Sequence, residues 1–191
     1  MQLYGTVTSD RPLLVVALEL EAVALRGFGL PLLVTGAGKV NAAVAVATAI
    51  NTTRPSEIIN LGTAGGLKDH IHGTHLVSTV IEHDVDDDSI FAIAEVHCSL
   101  PINLQRDGLI LATGDRFIAD ASERQLLAVV ADMVDMEGYA IAKAAAHAGL
   151  PLTMVKHVSD QADESASRSW VDSVTHCSHQ LAAWVQEFVE H

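Results

Sequence analysis

The chain has 191 residues, 49% hydrophobic and 18% charged, with a formal net charge of −13. That length and apolar content suit one compact domain with an ordinary core and exclude a disordered chain. The acidic balance, with a pI of about 5.0, argues against nucleic acid and anionic membrane surfaces, both of which select basic patches, and leaves small neutral or zwitterionic ligands open.

In chain order, Pro12 to Leu18 reads as a strand, Glu19 to Arg26 as a short helix and Pro31 to Thr35 as a strand. Gly36-Ala37-Gly38 opens a long alanine-rich helix from Val40 to about Thr53, and Ser56 to Leu61 is a strand closed by Gly62-Thr63-Ala64-Gly65-Gly66. His75 to Glu82 and Ile90 to Val96 are expected to be strands joined by an acidic turn, Asp84 to Asp88, and Gly108 to Ala112 another strand. Leu126 to Val134 is an apolar stretch leading into Asp135-Met136-Glu137-Gly138 and the helical run Tyr139 to His147. Leu152 to Asp160 is an apolar, β-branched strand ending in Ser-Asp, and Ser165 to Glu190 begins as a polar loop and ends as an amphipathic helix. This rhythm predicts a single α/β domain over 1–191, with a central mixed, mainly parallel β-sheet flanked by helices. No basic n-region precedes an apolar stretch at the N-terminus, and no apolar run approaches the ~20 residues that span a bilayer, so the chain reads as soluble and cytoplasmic. Cys98 and Cys177 show no metal or redox spacing and are expected to be free thiols.

Ligands of parallel α/β sheets bind at the C-terminal ends of the strands, which makes Asp160 a candidate acid and puts Glu137 on the same rim. The glycine clusters permit tight turns and close backbone approach to a ligand. Neither is a dinucleotide fingerprint: Asn41 stands where Gly36 and Gly38 require a third glycine, and no acidic residue closes a second strand about 20 residues on. A Gly-Lys-Ser/Thr phosphate loop is also absent. His70, His72, His75 and His83, with Asp84 to Asp88, match no metal spacing and read as a loop and a solvated acidic turn. His157, within a strand, reads as a core or supporting histidine.

Taken in order, Val16-Ala17-Leu18-Glu19-Leu20-Glu21, Gly36-Ala37-Gly38-Lys39-Val40-Asn41-Ala42-Ala43 and Ile59-Asn60-Leu61-Gly62-Thr63-Ala64-Gly65-Gly66-Leu67 resemble the nucleoside phosphorylase and nucleosidase superfamily. Ala112-Thr113-Gly114-Asp115-Arg116-Phe117-Ile118, Asp135-Met136-Glu137-Gly138 and Val158-Ser159-Asp160-Gln161-Ala162-Asp163 are similar to its 5′-methylthioadenosine/S-adenosylhomocysteine nucleosidase branch. The resemblance is weakest between Lys68 and Asp107, where this sequence is shorter than is usual in the family. It implies hydrolysis of a purine nucleoside's N-glycosidic bond through an oxocarbenium-like ribosyl cation, without metal or organic cofactor, by a homodimer. By the same resemblance Asp160 is the general acid toward the purine N7, with Ser159 orienting it. Glu21 binds and activates the water, although Glu19 offers a competing register. Glu137 accepts hydrogen bonds from the ribose hydroxyls and Met136 packs on the ribose. Phe117 stacks on the base, while the backbone of Ile118 reads the purine edge. Thr63 is the small hydroxyl residue near ribose or water, and Ala37 and Trp170 line the 5′ pocket.

Blander readings stand beside these. Asp160 could cap a helix before Gln161, Glu21 and Glu137 could be solvated helix-start acids, and Met136 an ordinary core methionine. An aspartic acid ionises near ~4, so a general acid at the end of this strand must be buried to hold its proton. The superfamily's phosphorylases hold phosphate with arginines; the strand Ile58 to Leu61 has none, and Glu19 and Glu21 would repel an anion, which favours water. A branch acting on futalosine often has Asn where this chain has Asp160, so the acid favours an adenine-type leaving group. The alternatives are a purine nucleoside phosphorylase, a futalosine-type or other nucleosidase, and a non-catalytic nucleoside-binding protein.

Overall fold

Leu13-Leu14-Val15-Val16 is buried without interruption, the pattern of a strand covered by helices on both faces. It forms β2 (Leu13–Val16) of a computed structural model that describes residues 1–162 and 166–190, with the side chains of 166–172 and 190 outside that description. The other strands are β1 (Gln2–Tyr4), β3 (Leu32–Val34), β4 (Ile58–Gly66), β5 (Thr74–Glu82), β6 (Ile102–Asn103), β7 (Leu109–Thr113), β8 (Met133–Asp135) and β9 (Leu152–Asp160). The helices are α1 (Glu19–Ala22), α2 (Lys39–Thr52), α3 (Asp87–Ala94), α4 (Ala121–Leu127), α5 (Gly138–Ala148) and α6 (Ala166–Glu190).

The sheet is mixed, as the sequence rhythm predicts. β2 lies parallel between β3 and β4, β4 runs parallel to β9, and β7 lies parallel between β5 and β8. The pairings β1–β3, β4–β8, β5–β6 and β5–β9 are antiparallel. Together these make β4, β9, β5, β7 and β8 a closed ring. Strand alternation divides the core. Leu13, Val15, Ile58 and Met154 pack under α2 and α5, whereas Leu14, Val16, Ile59, Leu61 and Val155 meet Leu181 and Val185 of α6. Burying each such side chain contributes roughly 1.5–3 kcal/mol. Ala42 and Ala45 of α2 and Ala142 and Ala145 of α5 are all buried, and their small size lets these two helices pack closely. Among the described residues no helix is long and apolar enough to cross a membrane.

Three expectations change. Ile90 to Val96 is not a strand: α3 occupies 87–94, because Asp86 accepts the N–H of Ser89 and Asp87 and Asp88 fill the first turn, where carboxylates favour a helix start. Of the stretch Leu126 to Val134, the first two residues end α4, 128–132 form the connecting turn and only Met133 and Val134 enter β8; Asp120 accepts the N–H groups of Ser122 and Glu123 to start α4. The glycine cluster 62–66 does not close β4 but continues it, since Gly62 and Thr63 stay paired with Lys156 and His157 of β9.

Gly108 enters β7 where a Cβ would lie 2.4 Å from the Leu76 carbonyl oxygen and 3.0 Å from the Ser78 nitrogen, both backbone atoms of β5. Gly108→Ala is therefore expected to destabilise by about 1–3 kcal/mol, lowering Tm by several degrees. Gly27→Ala, with nothing within 4 Å, is the control and should stay near the parent. Equal melting temperatures for the two variants would contradict this packing.

Candidate active site

The C-terminal ends of β2, β4, β7, β8 and β9 open onto one cavity of about 350 Å³. Glu21, Ala37, Thr63, Phe117, Ile118, Met136, Glu137, Ser159 and Asp160 all line it. The side chain of Trp170 lies outside the described residues. Glu19 is not in the cavity: it sits on the surface, bonded to the Tyr4 hydroxyl and the Arg26 guanidinium.

Glu21 is a buried acid, 2% exposed, and not a solvated helix-start residue. One carboxylate oxygen accepts the N–H groups of Ala17 and Leu18, each at 3.0 Å; the other accepts the N–H of Thr63 at 2.9 Å and its hydroxyl at 3.1 Å. Four donors fill the ~4 lone-pair positions of a carboxylate and offset the cost of burying it. The Thr63 hydroxyl is the one that can rotate away.

Glu137 stands at the N-cap position of α5 without its side chain bonding that helix, and it is buried. Its Oε1 accepts the Gly38 N–H at 2.7 Å, so the turn before α2 holds a carboxylate that comes from the β8–α5 junction. Beside it, Asp135 accepts the Thr113 hydroxyl at 2.6 Å and the Gly138 N–H at 2.9 Å. Burial first, then the Asp135 and Glu21 charges, push the Glu137 carboxyl up to about 7 against the opposing Lys156 and Gly38 N–H.

Lys156 is the residue that sequence reasoning passed over. It is 2% exposed, and its ammonium pairs with Asp135 at 2.8 Å. A Cβ on Gly62 would sit 3.2 Å from that ammonium and 3.4 Å from Glu21 Oε1, so glycine here leaves room for the pair. Burial alone would lower the lysine's pKa; Asp135, Glu137 and Glu21 outweigh it and raise it. The signal in the sequence was a lysine inside an otherwise apolar strand, since buried lysines need a charged partner.

β9 stays in register with β4 as far as Ala64 opposite Val158, then skips a residue, so that Asp160 stands opposite Gly65. Ser159 is the extra residue, and both Ser159 and Asp160 line the cavity. The Ser159 hydroxyl donates to Asp160 Oδ2 at 2.7 Å, and the Ala162 N–H donates to Oδ1 at 2.9 Å. Asp160 is half-buried rather than buried, because the rim is open above it. Phe117 is 46% exposed while Ile118 is buried, and Met136 is half-buried rather than a core residue. His157 is buried and bonded to the Thr74 hydroxyl at 2.7 Å. Among the described residues no group of His, Cys, Asp or Glu is arranged to hold a metal ion.

The raised Glu137 carboxyl gives a signed pH effect. As pH climbs from the ordinary carboxylate range to about 7, the folded state keeps a proton that the unfolded chain releases, so this group's contribution to stability is lost over that window. Glu137→Gln, which keeps an acceptor for Gly38, should gain on the parent in Tm by several degrees between about pH 5 and about pH 8. A gap that does not change with pH would remove Glu137 from this role.

The model of the phosphorylase superfamily matches residues 30–190. The 5′-methylthioadenosine/S-adenosylhomocysteine nucleosidase of Bacillus cereus (strain B4264) is 28% identical over 174 residues, covering 76% of this chain and 74% of its own. Among solved structures, the S-adenosylhomocysteine nucleosidase of Streptococcus pyogenes, in complex with 5-methylthiotubericidin, superposes with a TM-score of 0.81 at 25% identity over 97% of this chain and 98% of its own. The futalosine hydrolase of Helicobacter pylori shares the fold, with a TM-score of 0.83 at 18% identity over 95% and 97%. With a match across most of its length and strand-end residues that meet in one cavity, the chain belongs to the phosphorylase superfamily.

Proposed function

We propose that this protein hydrolyses the N-glycosidic bond of 5′-methylthioadenosine, S-adenosylhomocysteine or a close relative, giving adenine and a 5-substituted ribose. The observation that carries the reading is one cavity shared by Asp160 with its Ser159 partner, two buried carboxylates, Glu21 and Glu137, and the exposed ring of Phe117. The names of the Bacillus cereus and Streptococcus pyogenes relatives point the same way.

In this mechanism the bond from the ribose anomeric carbon to the purine breaks with its electron pair going to the base, and Asp160 delivers a proton to N7. A purine lying on Phe117 covers the half-buried Asp160 and supplies the burial that the open rim lacks. The sugar left behind is cationic, and Glu21 and Glu137 stabilise it electrostatically. Glu137 accepts from the ribose hydroxyls. A water takes over the position of the Thr63 hydroxyl on Glu21, adds to the anomeric carbon and passes a proton to the Glu21 carboxylate. Met136, Ile118 and Ala37 shape the sugar, base and 5′ subsites, and no metal or organic cofactor takes part.

Water is favoured over phosphate by the charges. Lys156 is buried and committed to Asp135, and Arg116 at the cavity rim is paired with Glu123. An anion about 4 Å from an unneutralised carboxylate meets a repulsion of about 4 kcal/mol per charge at an effective dielectric of ~20.

The reading includes a homodimer in a cytoplasmic setting. Val40 and Val44, one helical turn apart on α2, are 72% and 60% exposed, and Phe91 and Ile93 of α3 are 43% and 87% exposed; a second copy of the chain would cover such apolar side chains. Sedimentation should give twice the chain mass of 20.2 kDa, and Val44→Glu should give the monomer; a monomeric parent would refute the dimer.

Asp160→Asn should lower adenine release by roughly 10²–10⁴-fold while adenine still binds. In phosphate-free buffer the parent should release free 5-substituted ribose, identified by mass. A requirement for phosphate, with ribose 1-phosphate as the main product, would make the protein a phosphorylase.

A further inference from the structure

The stretch Asp84 to Asp88, read from the sequence as a solvated acidic turn, is exposed at Asp84 as expected, but the Asp84 carboxylate is tied into the fold. The Lys39 ammonium lies 2.6 Å from Asp84 Oδ1 and 2.7 Å from Glu82 Oε1, with the side chains of lysine and both acids mostly covered. The other oxygen of Asp84 accepts the Asp115 N–H at 2.8 Å, and Asp115 in turn accepts the Lys39 N–H at 2.8 Å. These bonds close a circuit from Lys39 to Asp84 to Asp115 and back. Burial would lower the Lys39 pKa and raise that of Asp84; the bonds to Asp84 and Glu82 outweigh it for the lysine, those from Lys39 and the Asp115 N–H outweigh it for the aspartate, and each is held in its charged form.

Neither Lys39 nor Asp84 lines the cavity, but each end of the circuit runs into it. Asp115 is followed directly by Arg116, Phe117 and Ile118, which line the cavity, and Lys39 follows Gly38, whose N–H holds Glu137. We propose that Lys39 and Asp84 are positioning residues that fix the Phe117 loop relative to the Glu137 carboxylate, and so set the orientation of base against sugar. The inference rests on the nucleosidase reading, in which Phe117 takes the base and Glu137 the ribose. Charge-assisted bonds are strong and directional, and the circuit joins the two subsites without belonging to either. Its loss therefore disturbs the alignment of a ligand that spans both and spares a ligand that occupies one.

The test compares Lys39→Met, Asp84→Ala, their double variant and Lys39→Arg with the parent. Lys39→Met should lower kcat/KM for the nucleoside by about 10–100-fold, the scale of a small misplacement, while affinity for free adenine stays within about threefold. Lys39→Arg should recover most of the loss, and the double variant should be no worse than the poorer single one. Equal losses in adenine affinity and in kcat/KM, additive losses in the double variant, or an unchanged kcat/KM would each overturn the proposal. Amide exchange at Lys39 and Asp115 reads the tether without substrate: it should quicken in Asp84→Ala, and unchanged exchange overturns the latch. If the parent cleaves no nucleoside, the nucleosidase reading fails, and the exchange measurement still decides the latch. Should Lys39→Met not fold, Asp84→Ala carries the same comparison.

Discussion

The buried ammonium of Lys156 is the constraint on which the site depends. Asp135, Glu137 and Glu21 come from two separate stretches of chain, and without a cation among them three carboxylates could not share so small a volume unprotonated. One lysine leaves the group negatively charged. The residual strain falls on Glu137, whose carboxyl is pushed up to about 7. A site that binds substrate neutrally but develops positive charge in the sugar gains from such an arrangement, because the field is paid into folding beforehand and is already oriented when the bond breaks.

Backbone groups do much of the remaining work. Glu21 is held by three N–H groups and Glu137 by one, all from strands or the turns that follow them. Such donors are fixed by the sheet rather than by side-chain rotamers, so the carboxylates inherit the rigidity of β2, β4 and the first turn of α2. The closed ring of β4, β9, β5, β7 and β8 brings segments distant in sequence to one rim.

The sequence exposed most of this plan because strands with apolar or β-branched runs end in polar residues: Leu152 to Asp160 is legible for that reason, whereas glycines 62–66 look like the close of β4 and in fact continue it. Where short apolar runs carry no period, the reading fails. Ile90 to Val96 holds enough branched and aromatic residues for a strand, yet the acidic residues before it are a helix cap and not merely a turn. Lys156 stands out as a lysine in an apolar strand, but periodicity cannot say which partners a buried charge will find. The same holds for Lys39 and Asp84, whose partners are set by the tertiary fold.

The skipped residue in β9 carries a consequence of its own. Alternation along an unbroken strand sends adjacent side chains to opposite faces, and the irregularity at Ser159 lets Ser159 and Asp160 share one cavity. The acid's direction is thus encoded in chain length rather than in residue identity. The core positions before it can drift among apolar residues of similar volume, but insertion or deletion of one residue between Val158 and Asp160 would turn the carboxylate away. Apart from Lys156, Ser159 and Asp160, divergence along β9 is therefore free in letters and frozen in number.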